Sequence, residues 1–302
     1  MFDLTVSSTF VDTDAFALVS GVYYAAKRNM SGLVNLRAII STRDYGDNRF
    51  TDTMLTRVQT ELSEVPLLRV SAKQQGRLRD RSVESQENYD WSTLDAIYSC
   101  LEELPHLHFM LGDMIIRGPR WCNDFVFPSL NLHPDLPLNL GGTEGIYWDV
   151  IGEWVKSKRA EIGGMVHLAV PTLDAGTAVA YFRLPARGRI KGADLSTLWD
   201  SLPEGQADLG RLVKVQTALR DHPTHLLFQE LRRAEAAFEL ELVLKTLKTL
   251  AEGQLFIDNG KVYGRAYREL PQGLDLTDAV VGAAAIWPGR EGGLLMQRDS
   301  RR

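Results

Sequence analysis

The sequence predicts an α/β fold, a mostly parallel twisted sheet flanked by helices, with a helix-and-hairpin extension at its C-terminal end. Three observations carry this. Short apolar runs rich in strand formers recur through the first part of the chain. Segments of helical period separate them. A long helical stretch and a turn-centred hairpin follow later. Alternating strands and helices imply crossover connections, hence parallel pairing, and such sheets place ligands at the carboxyl ends of their strands.

Residues 2–6, 36–40 and 66–70 predict the first three strands, and residues 107–111, 125–130, 165–170 and 177–182 the next four. Phe50, Met54, Val58 and Leu62 share one helical face, as do Leu94, Ile97, Tyr98, Leu101 and Leu104. Residues 71–89 are polar, with Arg77, Arg79, Asp80 and Arg81 close together, and read as a solvated loop or insertion. Residues 186–210 are rich in Gly, Pro and Asp and read as a linker. A helix from about residue 226 to 251 is ended by Gly253, and residues 254–262 form a hairpin turning at Asp258-Asn259-Gly260. The stretch after Gly289 is rich in Gly and Arg and reads as a frayed end.

The 302 residues are 44% hydrophobic and 24% charged, the balance of a globular protein able to bury a full core. A net charge of −5 gives no electrostatic footprint for nucleic acid or an anionic membrane. Cys100 and Cys122 are the only cysteines and form no C-x-x-C pair, which argues against a thiolate metal site and fits a reducing compartment. The N-terminal residues lack the pattern of a signal peptide, and no apolar run approaches a membrane span, so the expected location is cytoplasmic.

The chemistry concentrates in Ser129-Leu-Asn-Leu-His-Pro-Asp-Leu-Pro137 and in Gly163-Gly-Met-Val-His-Leu-Ala-Val-Pro-Thr-Leu-Asp-Ala-Gly176. Asn131 and His133 stand two apart at a strand end, so their side chains leave on the same side. An amide donor and an imidazole facing one point can stabilise an oxyanion and move a proton. Asp174 lies in a turn after another strand, where a carboxylate beside the imidazole would hold its tautomer. His167 reads equally well as a hydrogen-bonded core histidine. His106, His108, His222 and His225 are scattered, and no carboxylate or thiolate cluster completes a metal site around them.

Asn-x-His-Pro with a downstream Gly-x-x-Val-His and Leu-Asp-x-Gly resembles the formyltransferases that use 10-formyltetrahydrofolate. Leu111-Gly-Asp-Met-Ile-Ile-Arg-Gly-Pro119 is similar to the segment that lines the folate pocket in that family. The resemblance spans roughly residues 2–262 and is motif-grade over residues 107–180. It implies a Rossmann-like sheet with a catalytic core over residues 1–185, and a linker with helical and hairpin extension over residues 186–302. It implies Asn131, His133 and Asp174 as catalytic residues, with Met114, Ile115, Ile116 and His167 beside the cofactor. Ser8, Thr9, Gly141 and Gly142 fall on the substrate side. The implied cofactor is 10-formyltetrahydrofolate as formyl donor, with no metal. The implied partner is a small-molecule amine acceptor, with no nucleic acid and no membrane; a homodimer is allowed.

The sequence departs from the family pattern at three places. The family's Gly-x-Gly-Ser-Asn loop after the first strand is Ser7-Ser-Thr-Phe-Val-Asp-Thr-Asp14 here, without glycine, and Thr13 and Asp14 read as helix caps. Ile115 replaces an arginine and Asp135 a serine. The acceptor is therefore open. Hydrolysis of the formyl donor, formylation of an amino sugar linked to a nucleotide, and an inactive folate- or nucleotide-binding paralogue are the alternatives. An oxidoreductase would need Gly-x-Gly-x-x-Gly after the first strand, and that fingerprint is absent.

Overall fold

The computed structural model describes residues 1–80, 82–101, 104–124, 129–137, 161–172, 174–185, 189–190, 193–194 and 223–286. Strand β1 (Phe2–Ser8) leads to helix α1 (Thr13–Lys27), β2 (Val34–Ser41), α2 (Arg49–Glu61), β3 (Leu67–Arg69), α3 (Val83–Leu101), β4 (Leu107–Met110) and α4 (Pro119–Asp124). There follow β5 (Leu130–His133), β6 (Glu161–Leu168), β7 (Ala178–Pro185) and a two-residue pair, β8 (Arg189–Ile190) and β9 (Ala193–Asp194). Helix α5 (Pro223–Ala251), the hairpin β10 (Phe256–Asp258) and β11 (Lys261–Tyr263), β12 (Leu274–Asp275) and α6 (Thr277–Ile286) complete the described chain.

Eight strands form one sheet in the order β12-β7-β6-β5-β4-β1-β2-β3. β1 pairs in parallel with both β2 and β4, so the strand order reverses on either side of it, the topological position where open α/β sheets hold ligands. β4 and β5 are parallel, while β6 runs antiparallel to both β5 and β7. The mostly parallel sheet flanked by helices is therefore as the sequence predicts.

The alternation within β1 sorts its side chains between the two faces. Leu4 and Val6 join the main core with Val19 and Val22 of α1, Leu55 and Val58 of α2 and Leu242, Val243 and Leu247 of α5. On the other face Ile40, Leu94, Ile97, Trp121 and Cys122 form a second cluster beneath α3 and α4. α5 is buried on several sides, with Phe238, Leu242 and Val243 in the core and Glu235, Glu239 and Glu241 also buried. β12 returns to pair with β7, so the chain after residue 186 contributes an edge strand to the main sheet. At the β10–β11 turn, Asn259 and Gly260 have φ of 49° and 73°, the two positive values of a type I′ hairpin turn.

Four local expectations change. The cap of α1 is Asp12, whose carboxylate accepts from Ala15 N at 2.8 Å, with Thr13 as the first helical residue. Residues 71–89 are a solvated loop only in part: residues 73–75 and 78–80 are exposed, but the segment is anchored at buried positions and runs into a helix. Arg77 is buried and donates to the carbonyls of Asp80 and Ile116, Tyr89 is buried and donates to Val70 O, and α3 already begins at Val83. Tyr98 points outward from α3, whereas Leu94, Ile97 and Leu101 are buried. The fifth strand runs over Leu130–His133 rather than 125–130, of which 125–128 lie outside the described residues. Most of the expected linker at 186–210 and all of the stretch after Gly289 also lie outside them.

Candidate active site

β5 starts late. Leu130 and Asn131 pair with Phe109 and Met110 near the end of β4, and Met110 in turn pairs with Ser7 near the end of β1. Asn131 and His133 therefore stand where β5 passes the carboxyl ends of its parallel neighbours. β6 lies beside it, with Asn131 opposite His167 and His133 opposite Met165. The register between β6 and β7 slips at Val166/His167. Such irregularities re-aim side chains next to functional sites.

Four side chains converge here. His167 Nδ1 lies 2.9 Å from Leu168 O and its Nε2 lies 3.1 Å from Asn131 Nδ2. A carbonyl only accepts, so Nδ1 carries the proton and, in the neutral ring, Nε2 accepts from the Asn131 amide. That fixes which way the amide faces and leaves its second N–H outside this bond. Asp174 Oδ1 lies 3.8 Å from His133 Nδ1 and 3.6 Å from His167 Nε2. The two imidazoles meet edge to face with centroids 5.8 Å apart. His133 and His167 are both buried.

The β6–β7 loop brings Asp174 back over the sheet. Asp174 has φ of 48°, in the left-handed region that Asp tolerates better than most residues. At Gly176 an added Cβ would stand 1.6 Å from Leu168 O and 3.2 Å from His167 Nδ1. Only glycine lets the loop lie against the carbonyl that also orients His167. The glycine two residues after Asp174 thus has a packing reason within the site itself.

The loops after β1 and β4 are stitched together at the strand-order reversal. Thr9 N donates to Gly112 O at 3.1 Å and Met114 N to Thr9 Oγ1 at 2.9 Å. Ser7 Oγ donates to Asp113 at 2.5 Å. Ser8 and Thr9 are buried, and their hydroxyls accept from Phe10 N, and from Met114 N and Thr42 Oγ1 respectively. Met114 is 52% exposed, Ile116 half-buried, and Ile115 packs inward with Val70, Ala72 and Tyr89. Gly141 and Gly142 lie outside the described residues.

A buried polar chain that the sequence motifs do not include lies beneath these loops. His108 is held between Thr5 Oγ1 and Ser7 Oγ, each 2.9 Å away, and burial followed by the charge of Arg117 pushes its pKa well down. From Ser7 the chain continues through Asp113 and Arg117 to Asp90. The four-residue spacing of Asp113 and Arg117 was the available signal.

The donor atoms of His133, His167 and Asp174 lie within 4.8 Å of one another, a two-imidazole, one-carboxylate set of the kind divalent transition metals accept. The same set also suits proton transfer. A cavity of about 950 Å³ lies at the other edge of the sheet, lined by Glu161, Arg183, Asp275 and Thr277 among others, and includes none of the site residues. No described helix is long and apolar enough to cross a membrane.

No protein-family model and no curated protein matches the sequence. Solved structures do match its fold. A phosphoribosylglycinamide formyltransferase from Coxiella burnetii is 18% identical, with a TM-score of 0.58 over 91% of this chain and 98% of that one. A glycinamide ribonucleotide transformylase from Symbiobacterium toebii is 15% identical, with a TM-score of 0.57 over 87% and 93%. A formyltetrahydrofolate deformylase from Pseudomonas putida is 11% identical, with a TM-score of 0.53 over 87% of this chain and 70% of that one. The chain therefore has the Rossmann-like fold that folate-dependent formyltransferases and formyltetrahydrofolate deformylases share.

Proposed function

We propose that the protein is an enzyme that takes the formyl group from 10-formyltetrahydrofolate and passes it to an acceptor amine. The observation that carries the reading is the convergence of Asn131, His133 and Asp174, with His167 orienting the amide. The pterin would lie against the backbone of Met114–Ile116, next to Asn131 across the β4–β5 pairing.

In the proposed reaction the amine nitrogen attacks the formyl carbon, forming a C–N bond and moving a carbonyl electron pair onto oxygen. The free N–H of Asn131 and the protonated His133 ring stabilise that oxyanion. Asp174 accepts the proton from the attacking amine, directly or through a water, and supports the charge on His133. As the oxyanion collapses, the bond from the formyl carbon to the folate nitrogen breaks and that nitrogen receives the proton.

Hydrolysis is a second reading, with water in place of the amine. The first loop favours keeping it. The carboxylate of Asp12 already occupies the N-terminus of α1, and the hydroxyls of Ser8 and Thr9 are engaged inside the protein. A phosphate-bearing amine would meet carboxylate where it needs converging N–H donors. Supplying 10-formyltetrahydrofolate labelled at the formyl carbon decides between the two by NMR. Label recovered in a formamide after adding candidate amines supports transfer. Label found only in formate, with every amine inert, replaces transfer by hydrolysis. Label left entirely on folate refutes both.

A further inference from the structure

We infer that Arg117, gripped by Asp90 and Asp113, is a positioning residue that fixes the backbone of Met114–Ile116 for the cofactor. This rests on the proposed folate reading for the identity of the ligand, though not for the mechanical role.

Arg117 is 1% exposed. Its guanidinium lies over the rings of Trp121 and Tyr89, at 4.4 and 5.2 Å from their centroids. It donates to Asp113 at 2.7 Å and to Asp90 at 3.4 Å. Both carboxylates then return to the backbone of the same segment, Asp113 accepting from Ile115 N at 3.0 Å and Asp90 from Gly118 N at 2.5 Å. Two neighbouring groups complete the grip: Met114 N is held by Thr9 Oγ1 and Ile116 O by Arg77. Asp113 is also tied to β1 through Ser7, and Asp90 belongs to α3. The segment is therefore anchored to β1, to α3 and to the stretch after β3 at once.

The pattern of what is held and what is left carries the argument. Among the described residues, the N–H of Ile116 and the carbonyls of Met114 and Ile115 make no hydrogen bond within the protein. They are the groups a flat heterocycle with alternating donors and acceptors would use. A buried ion pair is a poor source of stability, because desolvating three charges offsets most of their attraction. Apolar residues could fill the same space between Trp121 and Tyr89. What they could not do is direct two carboxylates onto backbone N–H groups of the same short segment, those of Ile115 and Gly118. Binding groups need to be held to a fraction of an ångström by such support.

The test uses Arg117→Lys, Asp90→Asn and the charge-neutral triple variant Arg117→Met/Asp90→Asn/Asp113→Asn, the last to keep a folded comparison if single changes prove severe. Two measurements are made on each: amide hydrogen exchange of the unliganded protein, and steady-state kinetics with 10-formyltetrahydrofolate. The expected result is faster exchange confined to residues 112–118. With it, KM for 10-formyltetrahydrofolate rises about tenfold while kcat stays within about threefold of wild type, since β5 and the β6–β7 loop carry the reacting groups. Unchanged exchange in residues 112–118 overturns the inference, and so does faster exchange spread evenly over the molecule, which marks a purely structural pair. A wild-type protein that fails to bind 10-formyltetrahydrofolate would instead remove the folate reading, and hydrogen exchange would still decide the mechanical role.

Discussion

At the scale of single residues, the site was partly legible. Asn131, His133 and Asp174 were read from their spacing and from the resemblance; the structure sets His133 beside Asp174 and links Asn131 to that carboxylate through His167. His167 was not decided by sequence, because its partners come from β5 and the β6–β7 loop, and nothing in the run over residues 165–170 announces them. Replacing Asn131 by Ala removes one oxyanion donor, and the expected loss is about 10²- to 10³-fold in kcat. Binding of tetrahydrofolate should persist in calorimetry, and a variant with full kcat would exclude Asn131 from the reacting centre. His167→Ala should lower kcat less, by about tenfold, because the amide is left in place but free to turn. The cluster could also hold a metal ion. The proton-transfer account expects full activity after exhaustive dialysis against a chelator. Activity lost on chelation and restored by Zn²⁺ would replace it with a metal-assisted one.

At the scale of elements, the β6–β7 loop and the segment after β4 decide where the proposed reacting and binding groups sit. Gly176→Ala should destabilise the fold by about 3 kcal/mol in denaturant titration, since the methyl group would overlap Leu168 O and force the Asp174 loop away. Stability equal to wild type would mean that the loop is not held as described. The anchoring within residues 71–89 was not legible, because polar composition cannot show that the Arg77 guanidinium will donate to Ile116 O, 39 residues later. The buried acid of α3 has a pH signature. Burial pushes the Asp90 carboxyl up to about 6, against the opposing pull of Arg117 and the Gly118 N–H and with a smaller upward push from Glu87. The unfolded carboxyl titrates near 3.8, so the favourable contribution of protonated Asp90 is complete below that value and lost as pH rises through about 6. Wild type should therefore lose stability relative to Asp90→Asn between pH 5 and pH 7, by roughly 1–2 kcal/mol. Parallel pH profiles for the two proteins would show that Asp90 does not titrate there.

At the scale of the whole molecule, the sheet was legible because each parallel strand repeats one signal, a short apolar run after a helical period. The order of strands was not, since nothing in the sequence says that β4 will pair with β1 on the side opposite β2. That reversal places the loops after β1 and β4 beside β5. The return of β12 to the edge beside β7 was equally hidden in a two-residue strand. The central claim is that this arrangement performs formyl chemistry through Asn131, His133 and Asp174. It is tested most directly by following tetrahydrofolate release from 10-formyltetrahydrofolate by wild type, His133→Ala and Asp174→Asn, with and without candidate amines. The account predicts turnover by wild type and a loss of about 10²-fold or more in kcat for each variant, with folate affinity retained. Wild-type rates equal to buffer, or variants as active as wild type, would contradict it.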